Sequence, residues 1–414
     1  MKEDRKDREI VLVYGRHENG GAQRQAVTLA NGLAQRGYRV SLLAIKGTVG
    51  GVTKDVFYKI DDSVKLFFLP DFLEEHKQDS FIIKDRRKQE RTIRWYRRLR
   101  WATKGWASVN NLASSKIKYI HAGQKVRPFV RLHSEAVYLV FGVDCYEMIY
   151  SASVGLNSRC IFVEITAPQH YLIGEDQYKQ RIYSLISSAD GAVFQTQEEK
   201  CCYEGWLKSN STVIYNPLVK EMPLPHEGTR RAAIVNFCRM SPEKNIPLLI
   251  HAFEKLYKNH SDYVLEIYGN AVSEKEQTYR LDIEKIIESS TAKVAICLLP
   301  PRQDVHEAVK DAAMFVSSSD FEGLSNSMIE AMAVGLPCVC TDCLGGGARE
   351  VIRDGENGIL TKAGDVDALY EGMKRFVDDP ELAKQCGENA AKIRDELSTE
   401  RIVQQWMTVI DEVM

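Results

Sequence analysis

Two cations stand five positions apart in Asn236-Phe237-Cys238-Arg239-Met240-Ser241-Pro242-Glu243-Lys244-Asn245. An arginine at the end of a buried strand and a lysine beside the next helix can together neutralise a diphosphate without a metal ion, one as a planar fork and one as a point charge. The plainer alternative is a pair of solvated surface charges. Farther along, Asp320-Phe321-Glu322-Gly323-Leu324-Ser325-Asn326-Ser327-Met328-Ile329-Glu330 sets Glu322 in a loop and Glu330, eight residues on, in the first turn of a helix. Carboxylates accept hydrogen bonds from sugar hydroxyls. Gly323 lets the chain at Leu324, Ser325 and Asn326 bring helix-start N–H groups to a phosphate. Glu330 has a second reading, because Ser327-Met328-Ile329-Glu330 fits a capping box in which the glutamate only satisfies the helix end. Taken with Arg239 and Lys244, the carboxylates point to a ligand that is both anionic and rich in hydroxyls.

A third element of this kind follows the first apolar run. Gly15-Arg16-His17-Glu18-Asn19-Gly20 has the glycine spacing of a P-loop, but Gly21 stands where that loop needs lysine, so ATP hydrolysis is not supported. A G-x-G-x-x-G dinucleotide fingerprint is missing as well. Gly20-Gly21 remains as a turn into a helix start, where a ligand can approach backbone N–H groups bearing partial positive charge. A tight strand-to-helix turn would use the same residues.

The elements that must position these groups alternate regularly. Strands are expected at 10–14, 39–45, 64–69, 136–141, 160–165, 191–195 and 212–215, with a helix at 22–35 carrying Ala26, Leu29, Ala30 and Leu33 on one face. The pattern stops at Asn216-Pro217, and the proline- and glycine-bearing stretch up to Gly228 reads as a linker. Alternation then restarts, with strands at 232–238, 264–268, 294–299, 314–318 and 337–340 and helices at 246–258, 274–289, 304–311 and 328–334, closed by two long helices. The expected fold class is α/β, two Rossmann-like β/α/β domains facing across a cleft: 1–218, a linker at 219–230, 231–398, and a last helix at 399–414 reaching back to the first domain.

Composition narrows the partners. The chain has 414 residues with 55 Lys+Arg against 57 Asp+Glu, so no global field drives it onto nucleic acid, and none is expected as a partner. Ten cysteines are too dilute for a disulfide framework and fall on apolar runs, and Cys338, Cys340 and Cys343 have poor zinc spacing, so no metal is expected. Met1 to Glu9 is nearly all charged, unlike a secretion signal, and no apolar run is long enough to span a bilayer, so a cytoplasmic location is expected. One segment departs from neutrality. Residues 77–104, within an insert at about 74–115, are strongly basic, with Trp95, Tyr96 and Trp101 interleaved and Trp106 just beyond. This is a solvated face with inward tryptophans, or it meets an anionic lipid surface through 77–106, which would make the protein peripheral on the inner face of the plasma membrane; nucleic acid is a third and weaker option, since no recognition module surrounds the patch.

Together these residues resemble the retaining glycosyltransferases of family 4, which have the GT-B fold. That family shows an R-x-x-x-x-K-(G/N) segment, matched by Arg239 to Asn245. It also shows two glutamates eight residues apart followed by A-M-A-x-G-x-P, matched by Glu322, Glu330 and Ala331 to Pro337. Gly346 to Ile352 and Asp354 to Gly358 resemble the segment before its closing helices, Gly20-Gly21-Ala22-Gln23-Arg24 its acceptor-side loop, and Tyr215-Asn216-Pro217 its hinge entry. The chain departs at Cys238, where glycine is usual, and at Gln23, where glutamate is common. The resemblance implies retaining transfer of a sugar from a nucleotide sugar, a UDP-sugar being favoured, without a cofactor. The acceptor would be a saccharide or lipid-linked saccharide of a cell-envelope or capsular polymer. Arg239 and Lys244 would neutralise the leaving diphosphate, Glu322 would hold donor hydroxyls and Glu330 the ribose, while Glu164, His170 and His17 are further donor-sugar or acceptor contacts. A non-catalytic partner subunit of the same fold, a nucleotide-sugar epimerase and a phosphorylase are the competing readings.

Overall fold

The computed structural model describes residues 8–414 apart from 17–19, 48–57, 103–113, 115, 116, 118, 119, 170–175, 220 and 272. Seven strands form the first sheet: β1 (Ile10–Arg16), β2 (Val40–Lys46), β3 (Lys65–Phe68), β4 (Val137–Phe141), β5 (Arg159–Val163), β6 (Gly191–Phe194) and β7 (Ser211–Val213). Their spatial order is β3-β2-β1-β4-β5-β6-β7, and every neighbouring pair is parallel. The second sheet holds β8 (Arg231–Arg239), β9 (Val264–Asn270), β10 (Ile296–Leu299), β11 (Ala312–Ser317), β12 (Cys338–Asp342) and β13 (Ile359–Lys362) in the order β10-β9-β8-β11-β12-β13, again all parallel.

Parallel strands are covered on both faces, which is why they read as unbroken apolar runs. In β1 the side chains of Ile10, Leu12 and Tyr14 join one core cluster and those of Val11 and Val13 another. The first cluster is closed by helix Gly21–Ala34 and by the final helix, Thr399–Val413, through Ile402, Trp406 and Ile410. It continues into the second domain at Met328, Ile329 and Met332, so the two domains share apolar packing.

In each sheet the chain order reverses once, between β1 and β4 and between β8 and β11, and ligands of such sheets lie outside the strand ends at those reversals. Gly20 follows β1, Arg239 ends β8, and Glu322 lies in the loop after β11.

Some elements differ from the sequence expectation. β13 and the short helix Gly347–Val351 were not anticipated, and four helices follow β13 rather than two. The helix expected at 304–311 is a single turn and a half, Val305–Val309. The linker is held in place: Arg394 donates to the carbonyls of Pro223 at 2.7 Å and Met222 at 3.2 Å.

Candidate active site in the interdomain cleft

A cavity of about 500 Å³ opens between the two sets of strand ends. Its wall brings together Gly20 and Gly21 from the first domain, Arg239, Lys244 and Glu322 from the second, the stretch Gly323 to Asn326, and Glu330. Residues separated by some 300 positions in the chain thus face one space.

Backbone geometry sets the cations. After β8 a 3-10 turn, Pro242–Lys244, ends at Asn245, the one non-glycine residue with positive φ (43°) among those described. Asn245 tolerates that conformation and caps helix Ile246–Tyr257 by accepting from Leu248 N, while its Nδ2 donates to Asp320 Oδ1 at 2.8 Å. The turn is thereby tied to the loop carrying Glu322, and Lys244 Nζ pairs with Glu322 Oε2. Burial, the largest single influence, disfavours the Lys244 ammonium, but the Glu322 charge and hydrogen bond together with Cys238 outweigh it and hold the pKa above the ordinary lysine value. Arg239 is different: its side chain is 57% exposed at the rim, bound to Glu243 at 2.7 Å and near Glu276 at 3.5 Å. Cys238 beside it has its thiol pushed up to about 12, chiefly by desolvation, so it remains protonated.

Glu330 is almost fully buried, with Arg24 from the first domain on one oxygen and His306 Nε2 2.7 Å from the other. Burial raises its pKa; Arg24 and His306 more than offset this, and the carboxylate titrates below its usual range. The capping-box reading does not hold. Ser325, not Ser327, caps helix Asn326–Ala333 by accepting from Met328 N, which leaves Glu330 beyond the first turn's unpaired N–H groups. Gly21 permits close approach here, since a Cβ on it would lie 2.9 Å from Asn326 Nδ2.

Other expectations need correction. Leu324 lines the cavity, but its N–H is given to Gln195 Oε1 at 3.3 Å and is spent on the domain contact rather than offered to a phosphate. Glu164 is fully buried and does not reach the cavity; it accepts from Ile165 N, Thr166 N and the Tyr203 hydroxyl, and its neighbours Ile165 and Thr166 line the wall instead. His17 and His170 lie outside the described residues, as do Lys104 and Trp106.

Arg24, Gln195 and His306 were missed by sequence reasoning. Arg24 had a signal, lying one helical turn beyond Gly20-Gly21, but nothing in the spacing announces the other two. The segment from Gly345 to Glu350 forms a clasp between domains: Thr196 Oγ1 donates to Gly345 O at 2.9 Å, Arg349 pairs with Glu198 at 2.7 Å, and Glu350 accepts from the Tyr215 hydroxyl at 2.9 Å and from Gln197 N at 3.3 Å. Among the described residues, no three His, Cys, Asp or Glu side chains come together as a metal site.

Residues 225–393 match the family model described as Glycosyl transferases group 1. An uncharacterized glycosyltransferase of Haemophilus influenzae is 22% identical over 400 residues, covering 94% of this chain and 96% of the relative. A poly(ribitol-phosphate) alpha-N-acetylglucosaminyltransferase of Staphylococcus aureus is 29% identical over 223 residues, 54% of this chain and 44% of the relative. Among solved structures, Anabaena HepE in complex with UDP and glucose superposes with a TM-score of 0.73 at 17% identity, over 98% of this chain and 99% of the other. That likeness is one of fold: two parallel-sheet Rossmann-like domains facing each other.

Proposed function

We propose, on the premise that the second domain matches group 1 glycosyl transferases, that this chain transfers a sugar from a nucleoside diphosphate sugar to a saccharide acceptor bound on the first-domain side of the cleft. The observation that carries the reading is the convergence of Arg239, Lys244, Glu322 and Glu330 on one cavity at the order reversals of two parallel sheets. Each group has a task. Lys244 and Arg239 neutralise the charge that grows on the diphosphate as the glycosidic bond breaks, a preorganised electrostatic role. Glu322, already oriented by Lys244, accepts from donor-sugar hydroxyls. Glu330, its carboxylate kept ionised and aimed by Arg24 and His306, accepts from the ribose hydroxyls. The start of helix Asn326–Ala333 supplies N–H groups toward the phosphates.

The finer reading is a family 4, GT-B enzyme that retains anomeric configuration, acts without a metal ion and prefers UDP over other bases. With no enzyme nucleophile assigned, the leaving phosphate itself takes the acceptor proton on the same face. The acceptor is a saccharide or lipid-linked saccharide of a cell-envelope polymer, a class supported by the polymer-glycosylating relative.

A thermal-shift screen against UDP, GDP, ADP and their sugars tests this. A ligand binding only the folded state at about 100 times its Kd adds roughly 2.7 kcal/mol to apparent stability. A shift with UDP and a UDP-sugar is expected; no shift with any nucleotide would overturn the proposal.

A further inference from the structure

The most charged element of the molecule takes no part in the cleft chemistry just proposed. Helix Ser80–Ala102 has 23 residues and carries nine lysines and arginines against Asp85 and Glu90. It is anchored along one side, where Ile82, Asp85 and Ile93 are buried. Asp85 accepts from Arg127 Nε at 3.0 Å and Arg131 Nη1 at 3.1 Å, so its charge is already compensated and does not offset the helix's own cations, all nine of which are exposed.

The opposite side has an order of its own. Ile83, Arg87, Arg91, Arg94, Arg98 and Trp101 recur at steps of four, four, three, four and three, the spacing of a single stripe along a helix, and every one is exposed. At about 1.5 Å per residue the stripe is roughly 27 Å long. It begins and ends on apolar side chains left in solvent, Ile83 at 39% and Trp101 at 77% exposure, with Trp95 at 57% beside it. The two tryptophans are not drawn inward by packing.

We infer that this stripe docks the protein flat on an anionic lipid bilayer. Arginine forks match lipid phosphates, and each basic residue near such a surface adds to the attraction. Tryptophan and isoleucine enter the headgroup boundary, where a ring with an apolar body and a polar N–H is favoured. A dissolved polyanion would satisfy the arginines but leave Ile83, Trp95 and Trp101 in water, so the combination selects a bilayer. No helix among the described residues is long and apolar enough to cross a membrane, and the contact is one of surface adsorption.

Sedimentation of the full chain with phosphatidylcholine vesicles, with and without phosphatidylglycerol, tests this. Binding is expected only to the anionic vesicles, and it should be lost near 1 M salt, where the screening length falls to about 3 Å. Reversing the stripe's charge (R87E/R91E/R94E/R98E) should weaken binding on the order of 100-fold or more. The same charge sense placed on the other domain by R353E/K362E should leave it intact. W101A, which does not depend on the quadruple variant folding, should weaken binding while keeping its salt dependence. Equal binding to neutral vesicles, wild-type binding by both stripe variants, or capture by soluble polyphosphate without vesicle binding would each overturn the inference. Nucleotide-induced thermal shifts in R87E/R91E/R94E/R98E report on the cleft separately, so failure of one idea is distinguishable from failure of the other.

Discussion

Arg239 and Lys244 are both cations at the end of β8, yet their surroundings make different demands. Lys244 is mostly enclosed and shares its charge with Glu322, whereas Arg239 stands at the rim with more than half its side chain in water. Alanine at either position should lower turnover on the order of 100-fold, the scale for one lost charge-stabilising donor. Only Lys244→Ala should also lower stability, by about 1–3 kcal/mol, because it strands a partly buried carboxylate. Near-native turnover in purified Arg239→Ala would remove the diphosphate role. A second residue-scale consequence concerns Glu199, fully buried at the domain contact, whose pKa is raised well above 4.5 by burial and then by the neighbouring Glu164 charge. The folded state keeps a proton on it that the unfolded chain releases above pH 4.5. The stability linked to this group is therefore complete below that pH and declines as pH rises toward the folded value. Glu199→Gln, close in shape and always neutral, should be more stable than the parent in urea melts at pH 7 to 8, with the difference closing near pH 4. A gap that widens on acidification would contradict the buried, protonated state.

At the scale of elements, helices Gly21–Ala34 and Thr399–Val413 pack so closely that a Cβ on Gly32 would fall 2.5 Å from Val403 Cγ2. Val403 is β-branched and fully buried, so it cannot swing aside. Gly32→Val should lower stability by about 1–3 kcal/mol through overpacking, measured by denaturant melts; a neutral effect would mean the two helices slide apart easily. The sequence announced most of these elements because buried parallel strands are continuous apolar runs and helix Gly21–Ala34 repeats its apolar residues every three or four positions. β13 was missed since its four residues, Ile359-Leu360-Thr361-Lys362, are too few and too mixed to stand out from a loop. The cap of helix Asn326–Ala333 was misplaced by two residues because Ser325 and Ser327 are equally good cap chemistry, and only backbone φ and ψ choose between them. Arg239, Lys244, Glu322 and Glu330 were legible as short-range patterns at strand ends. His306 and Gln195 were not, because their roles arise from contacts between segments far apart in the chain, which no local spacing encodes; Arg24 stood one helical turn past Gly20-Gly21, but its pairing with Glu330 is likewise a long-range contact.

For the whole molecule, the question is what holds two domains around a cavity that substrate must enter. At one contact the chain crosses itself: Leu218 N donates to Leu397 O at 2.9 Å and Thr399 Oγ1 to Leu218 O at 2.6 Å, joining the end of the first domain to the start of the last helix. Both contacts end on backbone groups of Leu218, beside shared apolar packing, and suit a fixed axis. The clasp is instead polar and relies on side-chain acceptors, with Glu350 accepting from both Tyr215 and Gln197 of the first domain. Hydrogen bonds to charged groups contribute about 1.5–3 kcal/mol each, while exposed ion pairs such as Arg349–Glu198 contribute little. The contact between the domains should therefore lean on Glu350 more than on Arg349. Glu350→Ala should shift the open-to-closed ratio by roughly tenfold or more toward open, seen as a larger radius of gyration in solution scattering and a higher KM for nucleotide sugar. Saturating nucleotide should reverse the scattering change, since a ligand touching both walls binds the closed form better. An unchanged radius with unchanged KM would place the hinge's control in the apolar axis instead, and Gly32→Val, not Glu350→Ala, would then be the variant that moves the domains.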